Sequence, residues 1–543
     1  MNFFLSKAKQ ISSAIIAIFF FSFHTSAQDT THFYSLKNFG GGIETQHQYY
    51  FSNLNSGIAL PQKRYASNSY VTVNYSYKKI IAGVQAEAYL PALQGYTKFT
   101  PDYKTKVDLT HYYAGFRSAK FDVTVGTFYD QFGNGLIFRT YEDRQLGIDN
   151  TIRGIHVRAN PFKNVQVKAF YGQQRYYFKY SDSKIGGADA DILLFNKQDE
   201  NHHISLKVGG SFLFINQDSL AYTDVPHDKN VTAWAGRINF SAGNYLLNAE
   251  YMHHSPVAYI PSYIFQPGSA LLISQSYNFK NGLGINLDFR RLELAALKAD
   301  YGVDDINNNL NYLPSLTKQH TWLVSSIYPA VCENKHEIGG QLGINYLFKK
   351  GTSLGGKYGT SVFLNGSMYK DLFYANFTPG ESFKAKFIDF GGQKQYTDIN
   401  VTIEKKLSKT VKGTVAFISQ YNLQQGAYAV KTKILATDFL FKLSAKSALR
   451  TELQHMWNKL EEKNWAAALA EYSYGKFSFF ATDLTDYQTA KIHYYNLGGS
   501  YSANAQRFMV SFSKQRAGLL CVGGVCRYVP SYMGFTLGYT YNF

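Results

Sequence analysis

From residue 39 onward, a period-2 alternation of apolar and polar side chains recurs along the chain, without a convincing helical segment. In "SYVTVNYSYKK", Val71, Val73, Tyr75 and Tyr77 share one face of an extended chain, and Thr72, Asn74, Ser76 and Lys78 share the other. "NVQVKAFYG" sets Val165, Val167, Ala169 and Tyr171 against Gln166, Lys168 and Phe170. "GIHVRANP" sets Ile155, Val157 and Ala159 against His156, Arg158 and Asn160, and "TDINVTIEKKL" repeats the pattern with Ile399, Val401 and Ile403.

A soluble antiparallel sheet would alternate in the same way, so placement in a membrane needs further signals. The segments run about 10–12 residues, the length a tilted strand needs to cross a bilayer. Short turns alternate with long polar loops, the asymmetry of outer-membrane barrels. Aromatic residues recur at segment ends, as in Tyr75/Tyr77, Tyr171 and Tyr346/Phe348, and suit interfacial girdles.

Short turns rich in Gly, Asn, Ser and Lys are predicted at 77–80, 117–120, 160–163, 208–211, 241–244, 279–282, 349–357, 406–410, 443–446, 473–476 and 502–505. These eleven turns join 22 strands, and a first strand near 39–51 and a last near 534–543 bring the number to 24, within a range of 22–26. The expected fold is therefore all-β, a transmembrane antiparallel barrel of about 24 strands ending on Phe543, with both termini periplasmic.

The N-terminus agrees with export. Lys7 and Lys9 precede the apolar run Ile11–Phe23, and Thr25 and Ala27 occupy the −3 and −1 positions of a cleavage site before Gln28. That run is shorter than the roughly 20 residues of a membrane helix. The predicted organisation is a cleaved signal peptide at 1–27 and a single barrel domain at 28–543 with long extracellular loops. Composition fits: 44 Tyr, 42 Phe and 44 Gly, without a Pro- or Ser-rich linker to divide the chain. The net charge of +17, or +15 without Lys7 and Lys9, is scattered along the strands rather than clustered. In an exported chain it points to anionic lipid or anionic solutes, not to nucleic acid.

In "GFTLGYTYNF", Phe535, Leu537, Tyr539, Tyr541 and Phe543 alternate with Thr536, Gly538, Thr540 and Asn542, and the chain stops on the aromatic. This resembles the C-terminal strand signature by which barrel-insertion machinery recognises outer-membrane proteins. Two further stretches, "GTFYDQFGNGLIFRTYEDRQLGIDNTIRGIHVRANPF" (126–162) and "LLCVGGVCRYVPSYMGFTLGY" (519–539), resemble a family of uncharacterised outer-membrane β-barrels from the Bacteroidota. The resemblance implies the barrel and its location, and carries no catalytic or ligand residue across.

A barrel of this size encloses a wide lumen that must be water-filled, plugged or filled by its own loops. About 11 residues separate Gln28 from the first strand, too few for a plug domain. The candidate inward loop is 130–150, which follows the fifth strand, as the constriction loop of general porins does. Its Asp130, Arg139, Glu142, Asp143, Arg144 and Asp149 would select solutes by charge and size; solvated surface charge is the plainer alternative. Arg153, near the rim, and His156, Arg158 and Lys168 would add positive charge on the lumen side.

Other chemistry is sparse. Asp304 and Asp305 offer hard oxygen ligands but lack the spacing of a calcium loop, so no metal and no cofactor is expected. The pairs His202–His203 and His253–His254 are linked to no nucleophile, so no enzyme is expected. Cys521 and Cys526 enclose "VGGV" in the last long loop, where an oxidising exterior and two turn-forming glycines favour a disulfide; Cys332 is left over. Two functions fit: a porin-like channel for hydrophilic, including anionic, solutes, or an occluded barrel serving as a subunit of an export or assembly complex.

Overall fold

The computed structural model describes residues 35–543 apart from 199–202, 218–227, 260–263, 302, 304, 332–335, 373–384, 425–427, 460–462, 490 and 523–524. The signal peptide, Asp304, His202 and Cys332 lie outside the described residues. Twenty-four long strands form one closed antiparallel barrel. Each strand pairs with its sequence neighbour, and the first, Phe39–Phe51, pairs with the last, Tyr532–Asn542, in the register Gly42↔Asn542 to Phe51↔Met533. Closure leaves no free sheet edge, so the ladder satisfies its own backbone groups within a bilayer. Phe543 completes the seam: its N–H donates to the Gly41 carbonyl at 3.0 Å, and its carbonyl accepts from the Gly41 N–H at 2.9 Å.

The alternation sorts as predicted. Val84, Val125, Ile155, Tyr171, Ile399, Phe417, Leu435, Leu453, Val510 and Leu537 all face outward and exposed, forming an apolar outer band. Their polar neighbours point inward; Thr72, for example, donates to Gln85 Oε1 at 2.9 Å across the strands. Of the signature positions, Phe535, Leu537 and Phe543 are exposed on the outer surface.

One predicted turn is wrong. Residues 208–211 lie inside the strand His203–Asn216, whose preceding neighbour in the barrel ends at Gln198. A Cβ on Gly209 would sit 2.3 Å from Asp191 Oδ1 and 2.5 Å from Arg237 Nε. The glycine there makes room for a lumenal ion pair, not for a chain reversal. The other ten turns fall where alternation breaks, and all lie at one end of the barrel with Phe39 and Asn542. The opposite end carries the long connections, of which 129–151 and 294–335 turn inward.

An apolar core therefore sits inside the barrel. Phe132, Leu136, Ile137 and Phe138 from the first inward loop, with Leu297, Leu310 and Leu313 from the second, pack on wall residues such as Phe170, Ile185, Leu213 and Met252. A second cluster joins Val324, Ile327 and Tyr328 to Ile418, Ile434, Met456 and Trp465.

Candidate functional site

The strand Phe121–Phe128 pairs with Lys106–Arg117 over only Tyr113–Arg117 against Asp122–Gly126. Beyond Phe128 the chain leaves the wall, enters the lumen and forms two small hairpins, bridged at Gln131↔Arg139 and at Glu142↔Asp149. Gly133 turns the first hairpin with φ +50°. Its tip meets the strand Tyr245–Tyr259, where the Asn134 N–H donates to Glu250 Oε2 at 2.8 Å. The second hairpin reaches the other way, to the first strands of the barrel: Arg144 Nη1 lies 2.6 Å from Glu44 Oε2, and the guanidinium stacks on Tyr70 at 4.2 Å.

Charges predicted to form an open eyelet are instead used as anchors. Asp130 accepts from Lys168 Nζ at 2.8 Å and pairs with His156 Nε2 at 2.8 Å, which ties the loop entry to the wall. Burial opposes ionisation of Asp130, but these two partners outweigh it and hold its carboxyl below the usual range. Glu142 pairs with Arg144 Nε at 2.8 Å and accepts from Gln85 Nε2 at 3.2 Å. Burial disfavours the Arg144 guanidinium charge, yet Glu142 and Glu44 raise its pKa further still. Asp143 caps its own hairpin by accepting from the Leu146 N–H at 2.9 Å. Arg139 makes a different contact, stacking on Tyr312 at 4.4 Å and Tyr141 at 5.3 Å.

Asp149 ends the loop in a buried cluster that sequence reasoning did not assemble. Its carboxylate meets Arg175, lies 2.7 Å from His111 Nε2 and accepts from the Tyr129 hydroxyl at 2.9 Å. Arg175 also grips Glu87 with both terminal nitrogens, at 2.8 and 2.9 Å. Burial would raise the Asp149 pKa, but the Arg175 charge and the His111 contact bring it down to about 2. Glu87, His111 and Asp149 are close enough to ligate a cation. The Arg175 guanidinium bonds to all three, so their charge is met from within the chain.

His156, Arg158 and Lys168 share the inward face, as expected. Arg153 does not: it stands on the face of Ile155 and Tyr171, stacking on Tyr180 at 3.8 Å at the outer rim. Strict alternation with Ile155 puts it there. Asp305 is likewise engaged, accepting from Lys98, the Tyr177 hydroxyl and the Asn307 N–H.

The second inward loop lies across the first. The Arg139 N–H donates to the Leu310 carbonyl at 2.7 Å, Asn311 Nδ2 to the Leu136 carbonyl at 2.8 Å, and the Asp149 N–H to Asn307 Oδ1 at 2.9 Å. It then continues to the far wall. His320 Nε2 lies 2.8 Å from Asp398 Oδ2, Lys318 Nζ donates to Thr402 Oγ1 at 3.2 Å, and the Val324 N–H donates to Gln454 Oε1 at 3.1 Å. Between 317–330 and the strands Phe477–Asp486, Ile492–Ala503, Gln506–Gln515 and Tyr532–Asn542 a cavity of about 440 Å³ remains, extending from Gln46 to the long-loop rim at Gly518 and Val529. A second, of about 360 Å³, lies below the first loop beside His111, Asp122, His156 and Arg158.

At the rim, Gly518–Val522 and Val525–Val529 form a hairpin that sets Cys521 directly opposite Cys526. Arg527 from this hairpin donates from Nε to the Gln145 carbonyl at 2.7 Å, so it touches the tip of the first inward loop.

The chain belongs to a family of unknown function, DUF6029, whose model matches residues 9–543. No curated protein matches it. Among solved structures, it is similar to the P pilus usher PapC translocation pore, at 9% identity over 93% of this chain and 99% of that one, with a TM-score of 0.44. The siderophore receptor PirA from Pseudomonas aeruginosa gives 8% identity, 93% and 80% coverage and a TM-score of 0.42. OccAB3 from Acinetobacter baumannii gives 12% identity, 94% and 100% coverage and 0.35. The fold itself is a closed antiparallel barrel of 24 long strands.

Proposed function

We propose that this member of a family of unknown function is an outer-membrane channel for small hydrophilic solutes, narrowed from within by its two inward loops. The one barrel end that carries both termini would then face the periplasm, and the long loops the exterior. The observation that carries the reading is the cavity beside 317–330, whose lining mixes apolar side chains with many polar ones, Gln46, Gln420, Thr482, Asn496, Ser511 and Thr536 among others. A barrel whose loops served only to seal it would gain by packing apolar side chains against that stretch of wall, as it does around Phe132 and Phe138. The role is passive passage, without catalysis, cofactor or nucleic acid; lipid and the insertion machinery are the partners that a terminal aromatic strand requires.

The same apolar packing of Phe132, Leu136, Ile137 and Phe138 favours a second reading, an occluded barrel that scaffolds other outer-membrane subunits. Planar-bilayer recording of the purified protein separates the two. Small, stable current steps support the channel. A folded barrel that is electrically silent and co-purifies with a stoichiometric partner contradicts the channel and supports the scaffold.

A further inference from the structure

We propose that the outer face of the barrel at its long-loop end, around Lys431 and Lys433 on the strand Tyr428–Lys442, binds the phosphate-bearing headgroup of a lipid in the surrounding leaflet. The inference rests on the outer-membrane part of the reading above and is independent of conduction.

Parity places the two lysines. Val430, Ile434 and Ala436 pack into the lumenal cluster, so Lys431 and Lys433 stand on the opposite, outer face with Leu435, and all three are exposed. Register then builds rows across the neighbouring strands. Phe417, Leu435 and His455 form one row, Ser419, Lys433 and Trp457 the next, and Tyr421 and Lys431 a third. Phe417 and Leu435 belong to the apolar outer band. One step of two residues, about 7 Å along a strand, takes this surface from apolar to basic and aromatic. A strand passing from hydrocarbon to headgroups meets that order, because aromatic rings and lysine ammonium groups collect at the interface. Lys394 adds a further cation beside the third row, its Nζ 3.9 Å from the centre of the Tyr421 ring.

An open depression of about 990 Å³ lies at this level. Phe417 and Trp457 give it apolar surface, and Lys433 and Lys459 give it cations. Trp457 is positioned by His455, whose ring centre is 4.2 Å away and whose Nε2 lies 2.8 Å from the Tyr487 hydroxyl. Asn464 and Gln488, also in the lining, use their side-chain carbonyls to accept from the N–H groups of Asn458 and Asn464, each at 3.0 Å. Their amide NH2 groups are the ends left to donate to phosphate oxygens. Rings, amide donors and ammonium groups together suit an amphiphile, with an acyl chain over Phe417 and Trp457 and a phosphate at the lysines. A free anion would gain nothing from the two rings.

The described carboxylates nearby are engaged elsewhere. Asp438 is on the inner face with Arg450, Asp483 pairs with His493 at 2.7 Å, and Asp486 accepts from the N–H groups of Gln488 and Thr489. Glu461 and Glu462 lie outside the described residues, so the site is assigned to Lys431 and Lys433, which stand in the strand ladder, and not to Lys459.

The test titrates the full-length protein in detergent with diphosphoryl lipid A and counts bound lipid by native mass spectrometry. Folding of each variant is checked by the heat-dependent gel shift of intact barrels. The wild type should hold the lipid, and Lys431→Gln with Lys433→Gln should weaken binding about thirty-fold, from about five-fold for each lysine beside an anionic lipid surface. Lys409→Gln with Lys446→Gln makes the same charge change in the short turns at the other end of these strands and should leave the affinity unchanged. Dephosphorylated lipid A should bind the wild type as weakly as diphosphoryl lipid A binds the Lys431/Lys433 variant. No lipid held by the wild type, equal binding of the two lipids, or equal loss in the two double variants overturns the site. Displacement of the lipid by an equal concentration of inorganic phosphate overturns it as well, since the patch would then serve free anions. Failure of the titration in a protein that fractionates with the outer membrane overturns the site alone, whereas fractionation elsewhere overturns the location on which it rests. An electrically silent barrel that binds the lipid as described counts against the channel and supports the site.

Discussion

Asp149 on the first inward loop and Arg175 on the wall strand Val165–Tyr176 form an ion pair whose side chains are 8% and 2% exposed. This contact ties the end of 129–151 to the wall. It makes loop position a matter of buried electrostatics, and the consequences can be measured.

Removing the cation should cost more than removing the loop's carboxylate. Arg175→Met leaves Glu87 and Asp149 facing each other in a dry site, a loss of about 3–5 kcal/mol for a broken buried pair. In Asp149→Asn the guanidinium keeps its two bonds to Glu87, and the loss should be about 1–3 kcal/mol. Urea unfolding in detergent gives the order; equal losses would mean that Asp149 and not Arg175 organises the cluster.

The loop should be indifferent to pH from 7 down to about 4. Asp149 has a folded pKa of about 2, against about 3.9 when unfolded. A depressed carboxylate pKa gives stability that is whole above the unfolded value and lost as pH falls through the folded one. Proteolysis after Arg139 or Arg144 should therefore rise between about pH 4 and 2. No rise over that range would mean that Asp149 does not hold the loop.

Gly133 permits the loop's contact with the far wall. Its φ is +50°, and a Cβ would stand 2.5 and 2.7 Å from the two carboxylate oxygens of Glu250. Gly133→Val should thus both strain the backbone and push the tip from Glu250, lowering stability by about 1–3 kcal/mol. A melting temperature equal to that of the wild type would show that the Asn134–Glu250 contact is dispensable.

Cys521 and Cys526 oppose each other across the rim hairpin, where Cα atoms of antiparallel partners lie about 4.5–5.5 Å apart, within disulfide range. For protein recovered from an oxidising exterior, intact mass should show two extra alkylations only after reduction. Alkylation at both cysteines without reduction would refute the bridge.

Strand number and the terminal strand were legible because an apolar outer face and a polar lumen force alternation on every segment. The 208–211 turn misled because Gly209 has a second use, clearance for Asp191 and Arg237, that local composition does not distinguish from a turn. Arg153 misled because a basic residue near a rim was read as lumenal against the parity of Ile155. The eyelet charges were found but their use was not: Asp130, Arg144 and Asp149 each meet a wall residue 26 or more positions away. Glu87, Arg175 and Glu250 were missed for the same reason, since only closure of the barrel brings them to the loop. One signal was available. Leu136, Ile137, Phe138, Leu310, Val324 and Ile327 are too apolar for loops in water, and mark 129–151 and 294–335 as chain that folds back into the interior.

The most direct measurement is single-channel conductance of the wild type beside a variant in which 132–138 is replaced by a short glycine–serine link. If the two loops restrict the lumen, the wild type conducts in small steps and the variant in steps several-fold larger, with both proteins showing the gel shift of a closed barrel. Equal conductance in the two proteins would contradict that restriction.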